Sequence, residues 1–335
     1  MKKVIFIVLL ISVFAVTNYL SYQEGYKNSM NSYYDESIYS SKYWEDFKQK
    51  EPINRVSPCF DPNVLEYLIS QNKGKDIKEK LSFSNQEQKV IEQLLNAIDK
   101  WPSNVSTYFW NHVAHIYIVD GLYSSGMADC MDDKDTFIIF LNKNILTKSP
   151  NTWITETEES SFKYQDEVEN LEIKIEESDS THLTAENIII HELGHIVSLN
   201  KTLIPDWRTS LNINHEYCSD EFKLRLRLDR KSKTDYLFNT ITYYANDADK
   251  IEFNEYLDLT LLLEQTTYPT LYGATDNVEY FAELFYSHFH CNIQNRPYII
   301  TFTTNNYEKT IFQNGLLMPR CEIQKIQFDQ LINEL

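Results

Sequence analysis

The chain has 335 residues, room for one large domain or two modest ones, and a hydrophobic content of 42%, ordinary for a water-soluble protein with ample material for a core. Its 49 acidic residues outnumber 31 lysines and arginines, for a formal charge of −18. Such a balance argues against nucleic acid as a partner, because phosphate recognition relies on clustered Lys and Arg, and solubility is its plainest reading.

The first residues read as an export signal. Lys2 and Lys3 precede an unbroken apolar run from Val4 to Val16, which turns polar at Thr17 and Asn18. The run is shorter than the ~20 residues of a spanning helix, which favours a cleaved signal peptide over residues 1–17. The best cleavage site is only Ala15-Val16-Thr17, so an uncleaved amino-terminal anchor is the alternative, and membrane contact is expected only in that case. Either way the remainder is expected outside the cytoplasm, secreted, periplasmic or extracellular.

Residues 18–51 are rich in Tyr, Ser, Asn and charge, show no sustained apolar period and read as a flexible tether. The folded domain is then expected over 52–335. Ser84 and Glu87 form a capping box ahead of Val90, Ile91, Leu94, Leu95 and Ile98, which predicts a helix from about Asn85 to Lys100. Two strands are expected at His115–Val119 and Thr136–Leu141, separated by a loop from Asp120 to Asp135. This sheet segment is the candidate edge for pairing with an extended ligand. His112 and His115 read as structural, since neither has a partner at ligand spacing. The acidic stretch Thr155–Asp179 reads as solvated loop, with a surface strand where Leu171, Ile173 and Ile175 alternate. Five scattered cysteines form no C-x-x-C pair, and their pairing is left open.

The stretch that carries chemistry is Ile188–Leu199, in which His191, Glu192 and His195 make an H-E-x-x-H motif among apolar residues. On a helix, positions i and i+4 share a face, so both imidazoles can converge on one ion while Glu192 stands beside it. Burial of three such groups on one apolar helix is costly unless they serve a purpose. Thr184 is the expected N-cap, and Gly194 is expected to admit a strand or a substrate backbone at close range. Beyond it, Lys201–Tyr268 reads as mostly helical, with helical spacing in Leu237–Tyr244 and Leu257–Leu263, while Leu224–Leu228 alternates.

A catalytic zinc needs a third protein ligand. Ser198 and Lys201 stand where the metzincin pattern requires glycine and histidine. The better candidate is Tyr272-Gly-Ala-Thr-Asp-Asn-Val-Glu279-Tyr-Phe-Ala-Glu283, on a helix starting at Thr275 or Asp276, with Glu279 and Glu283 on one face. One carboxylate can bind the ion and the other can hydrogen-bond a ligand histidine. Asp276 is a reserve ligand and Glu216 ranks third.

Together the two motifs, H-E-L-G-H and Y-G-x-T-x-x-x-E-x-F-A-E, make the chain resemble the gluzincin zinc metallopeptidases. Within them it is similar to the catalytic domain of the anthrax lethal factor family and to secreted Pro-Pro endopeptidases. The resemblance implies an α+β, zincin-like metallopeptidase domain with a small mixed sheet and a central H-E-x-x-H helix. It implies one Zn2+ held by His191, His195 and Glu279, with Glu192 as general base, Tyr272 as hydrogen-bond donor to the oxyanion, and Glu283 as an outer carboxylate. The expected activity is exported, zinc-dependent endopeptidase action on a protein or peptide substrate. The alternatives are a catalytically inert binding protein of the same fold and a zinc amidase acting on a non-peptide substrate.

Overall fold

The computed structural model describes residues 37–71, 76–78, 82–178, 180–204, 238 and 240–335. The expected export signal, most of the expected tether, Cys218, Glu216 and the Leu224–Leu228 alternation lie outside the described residues.

Among the described residues there are nine α-helices: α1 (Ser41–Lys48), α2 (Pro62–Gln71), α3 (Asn85–Ile98), α4 (Ser103–His112), α5 (Pro150–Glu159), α6 (Thr181–Asn200), α7 (Phe253–Leu262), α8 (Asn277–His288) and α9 (Glu322–Asn333). A four-stranded sheet runs in the order β1 (Val56–Pro58), β2 (Val113–Val119), β4 (Phe137–Asn142), β3 (Gly126–Cys130). Its first three strands are parallel, and β3 lies antiparallel on the edge. A short parallel pair joins β5 (Phe162–Lys163) to β7 (Ile251–Glu252), and β6 (Asn170–Lys174), β8 (Ile299–Thr303) and β9 (Lys309–Gln313) form an antiparallel sheet in the order β6-β8-β9. The chain is therefore a mixed α+β protein with small sheets.

Every residue of β2 is buried, because the sheet is covered on both sides. On one side Ile116, Ile118 and Ile139 join the main core with α3 and α6; on the other Tyr117, Val119 and Phe140 pack with Trp44 and Leu68. Parallel strands covered on both faces read as continuous apolar runs, which is why the sequence announces β2 and β4 clearly. It does not announce β3. Gly126-Met-Ala-Asp-Cys130 lies in the segment expected as loop, and it forms a strand because β4 offers it a free edge.

The folded part also begins earlier than expected. Trp44 of α1 is fully buried and its indole N–H donates to the Ile38 carbonyl at 2.7 Å, so part of the expected tether is core. The apolar residues there are aromatic and few, and their partners lie on β2, distant in sequence. The capping box at Ser84 and Glu87 is formed, and its helix ends at Ile98. The acidic stretch is not uniformly solvated. Glu158, Glu169 and Glu176 are buried, α5 covers its start, and β6 alternates exposed and buried residues as its spacing predicts. Helix α7 matches the Leu257–Leu263 spacing. Residues 240–244 form no helix, and Tyr244 sits at a positive φ of 54° that ends helical geometry there. Cys59, Cys130, Cys291 and Cys321 are buried.

Candidate metal centre

The centre is built where α6 crosses α8. Helix α6 is buried almost all round, as its apolar sequence requires, and starts after an N-cap position at Ser180. Thr184, the expected cap, instead lies within the helix and donates its hydroxyl to the Lys148 carbonyl. Gly194 lies between the two histidines at the crossing. A Cβ on it would stand 2.8 Å from Ala282 Cα and 3.1 Å from the Ala282 oxygen, so the glycine admits a helix backbone rather than a strand or substrate. Asp276 caps α8, its carboxylate accepting the N–H groups of Val278 and Glu279, which removes it as the reserve ligand and fixes the first turn that carries Glu279.

Across this contact His191 Nε2, His195 Nε2 and Glu279 Oε2 form a tight triangle. The separations are 3.1 Å between the imidazoles, 3.2 Å from His191 to Glu279 and 3.6 Å from His195 to Glu279. A tetrahedral zinc with bonds of about 2.0–2.1 Å would set its ligand atoms roughly 3.3–3.4 Å apart. The three side chains are each only partly buried and are the one group of potential metal ligands found among the described residues. Glu279 Oε2 is itself a buried acceptor without a well-formed hydrogen bond, though it faces two imidazole nitrogens. Both the spacing and the donor set fit a zinc ion.

Glu283, one turn on from Glu279, accepts from His191 Nδ1 at 2.9 Å and from the Thr270 hydroxyl at 2.6 Å. Those bonds leave Nε2 of His191 to face the triangle. Gly273 makes the approach possible, since a Cβ there would meet Glu283 Cβ at 2.9 Å. Tyr272, in the turn Tyr272–Ala274, stands with its ring 5.8 Å from that of His191 and edge-on to Tyr243, and its hydroxyl bonds Glu279. Glu192 is buried at the inner end of edge strand β3, where its carboxylate accepts a hydrogen bond from the Ala128 backbone. A Cβ on Gly126 would lie 2.5 Å from Ile188 Cγ2 and 2.9 Å from Glu192 Oε1, so the strand can approach the helix this closely only because that position is glycine.

Burial dominates the electrostatics and is answered by neighbouring charge. It pushes Glu192 up to about 7, with Glu279 adding to the rise and His191 opposing it. Burial works to lower His191, yet its bonds to Glu279 and Glu283 lift it well above the ordinary imidazole value. His195 falls to about 4 through burial, despite Glu279. Burial works to raise Glu279, which the two imidazoles nonetheless hold below the usual carboxylate range.

His112 and His115 stand apart from this centre. His112 pairs with Asp135 and the Tyr108 carbonyl, and His115 bonds the Ser57 hydroxyl. Several contributors carried no signal in the sequence. Thr270, Gly126 and the Ala128 backbone act through contacts that only the fold creates. Glu158, hidden in an acidic run, lines a cavity that continues from His191, Glu192 and Tyr272 past Trp153, Asn187 and Tyr286. Compared with known proteins, the chain matches no family profile, no curated protein and no solved structure.

Proposed function

We propose that the protein is an exported zinc endopeptidase of the gluzincin type, with a zincin-like catalytic domain. The observation that carries this reading is the triangle of His191, His195 and Glu279 with Glu192 and Tyr272 at its rim. Glu192 and Tyr272 are not needed to hold an ion, so their presence favours catalysis over binding alone. His191, His195 and Glu279 would hold the zinc, which supplies Lewis-acid polarisation of the scissile carbonyl and of water. Glu192 takes the proton of the attacking water and delivers it to the leaving amine. The Tyr272 hydroxyl donates a hydrogen bond to the oxygen that gains negative charge. Glu283 and Thr270 hold the His191 ring in its orientation. Strand β3, at the edge of its sheet beside Glu192, is the element along which an extended peptide chain would lie.

The test is zinc content by atomic spectroscopy together with cleavage of a mixed peptide library, for the parent and its Glu192→Gln variant. One zinc in each, with cleavage by the parent alone, is the expected result. Undiminished hydrolysis by the variant would remove Glu192 from its role. Zinc in both with no cleavage by either would turn the assignment to a binding protein or a non-peptide amidase.

A further inference from the structure

The cavity beside the metal centre holds polar groups that the mechanism above does not use. It has a volume of about 60 Å³, several times the ~10–15 Å³ that a single water needs. Its walls include Trp153, Tyr244, Tyr286 and Tyr298, and Glu158 and Asn187 supply oxygens to it. The Glu158 carboxyl is buried, and the hydroxyls of Tyr243 and Tyr256 both donate to its Oε2, at 2.6 and 2.5 Å, leaving Oε1 for a ligand. Asn187 is fully buried, with its amide N–H committed to the Leu183 carbonyl and its Oδ1 without a partner. The hydroxyl of buried Tyr286 is unpartnered as well.

We propose that this cavity is the specificity pocket for a basic side chain, lysine or arginine, of a residue adjoining the bond that is cut. The inference rests on the peptidase reading and names its substrate class. Glu158 Oε1 and Asn187 Oδ1 accept hydrogen bonds, and among the described residues the lining contains no lysine or arginine to answer them. A ligand must therefore bring the donors. An apolar side chain would fill the space but leave both oxygens buried and unsatisfied, a costly outcome. An acidic one would meet Glu158 and Glu283, which both line the cavity. A lysine or arginine meets both demands, since its methylene stem packs against rings and its charged head takes a carboxylate and an amide oxygen. The aromatic faces add cation–π attraction. Two tyrosines anchoring one carboxylate at the cavity wall hold it ready for that partner, much as a rigid supporting shell holds any preorganised recognition group.

The experiment has two arms on the full chain. Matched peptides carrying Lys, Arg, norleucine or Glu at each position around the cut bond are compared by kcat/KM. A preference of tenfold or more for Lys or Arg over norleucine at one position is expected, with that ratio collapsing toward parity in Glu158→Gln. Cleavage without a basic preference would overturn the pocket assignment while leaving the peptidase intact, as would a preference that Glu158→Gln does not move. In the second arm, calorimetry compares binding of N-acetyl-lysine amide and N-acetyl-norleucine amide to the same protein. Selective binding of the lysine amide supports the pocket even if no peptide is cleaved, a result that would count against the peptidase alone. Equal or absent binding overturns it, and this wild-type comparison decides the matter should Glu158→Gln fail to fold.

Discussion

Glu279 and Glu283 stand one helical turn apart and have different tasks. Glu279 completes the triangle of candidate ligands, and Glu283 bonds the far nitrogen of His191 and the Thr270 hydroxyl. Replacing Glu283 by glutamine keeps a hydrogen-bond acceptor but removes the charge, and outer partners of this kind are typically worth about 10–100-fold in metal affinity or activity. Glu283→Gln is thus expected to weaken zinc binding within that range in a chelator-competition titration while leaving one zinc bound at saturation. Complete loss of zinc would instead make Glu283 a direct ligand. At this scale the sequence was largely legible. The H-E-x-x-H spacing and the Glu279–Glu283 turn place four groups on two helix faces whatever else the chain does. Glu158 was not legible, because ten acidic residues lie between Thr155 and Asp179 and only the fold shows that this one is buried between Tyr243 and Tyr256.

At the scale of elements, α6 and α8 meet backbone to backbone. Gly194→Ala would insert a methyl group at 2.8 Å from Ala282 Cα, where no flexible side-chain end can yield. Overpacking of this kind typically costs about 1–3 kcal/mol. The variant is expected to lose stability within that range in urea unfolding and to bind zinc more weakly, since the crossing sets the distance from His195 to Glu279. Unchanged stability would show that the helices can part without penalty. The sequence flagged Gly194 as a point of close approach but misjudged what approaches, because a glycine reports that room is needed and not what occupies it. The same limit applied to β3, whose five residues have no apolar run and become a strand through β4.

At the scale of the whole molecule, stability should depend on pH through the buried carboxyl of Glu158. Burial pushes it up to about 7 from an ordinary 4.5, with Glu283 adding to the rise against the two tyrosine bonds. A raised carboxyl favours the protonated folded state, so its contribution is full below about pH 4.5 and is lost as pH rises through about 7. A shift of this size corresponds to roughly 3 kcal/mol at ~1.4 kcal/mol per unit. Glu158→Gln is expected to flatten that part of the profile of unfolding free energy against pH between those values. A profile with the parent's slope would show that the carboxyl titrates normally. The mixed α+β character was readable from the sequence, because a capped helix, apolar strand runs and an apolar motif helix each carry a local signal. The early start at α1 was not, since Trp44 gains its burial from β2, far along the chain.

A zinc ion held at the crossing of α6 and α8, as proposed, would be a long-range link. His195 and Glu279 bracket a large part of the chain, and a ligand set drawn from both sides of that interval closes it into a ring. An ion that binds only the folded form shifts the folding equilibrium toward it by mass action. The metal centre would then act as a fastener as well as a reactive site. Stripping zinc with a chelator is expected to lower the thermal midpoint of the parent by several degrees and to leave Glu279→Ala, already without its fastener, unmoved.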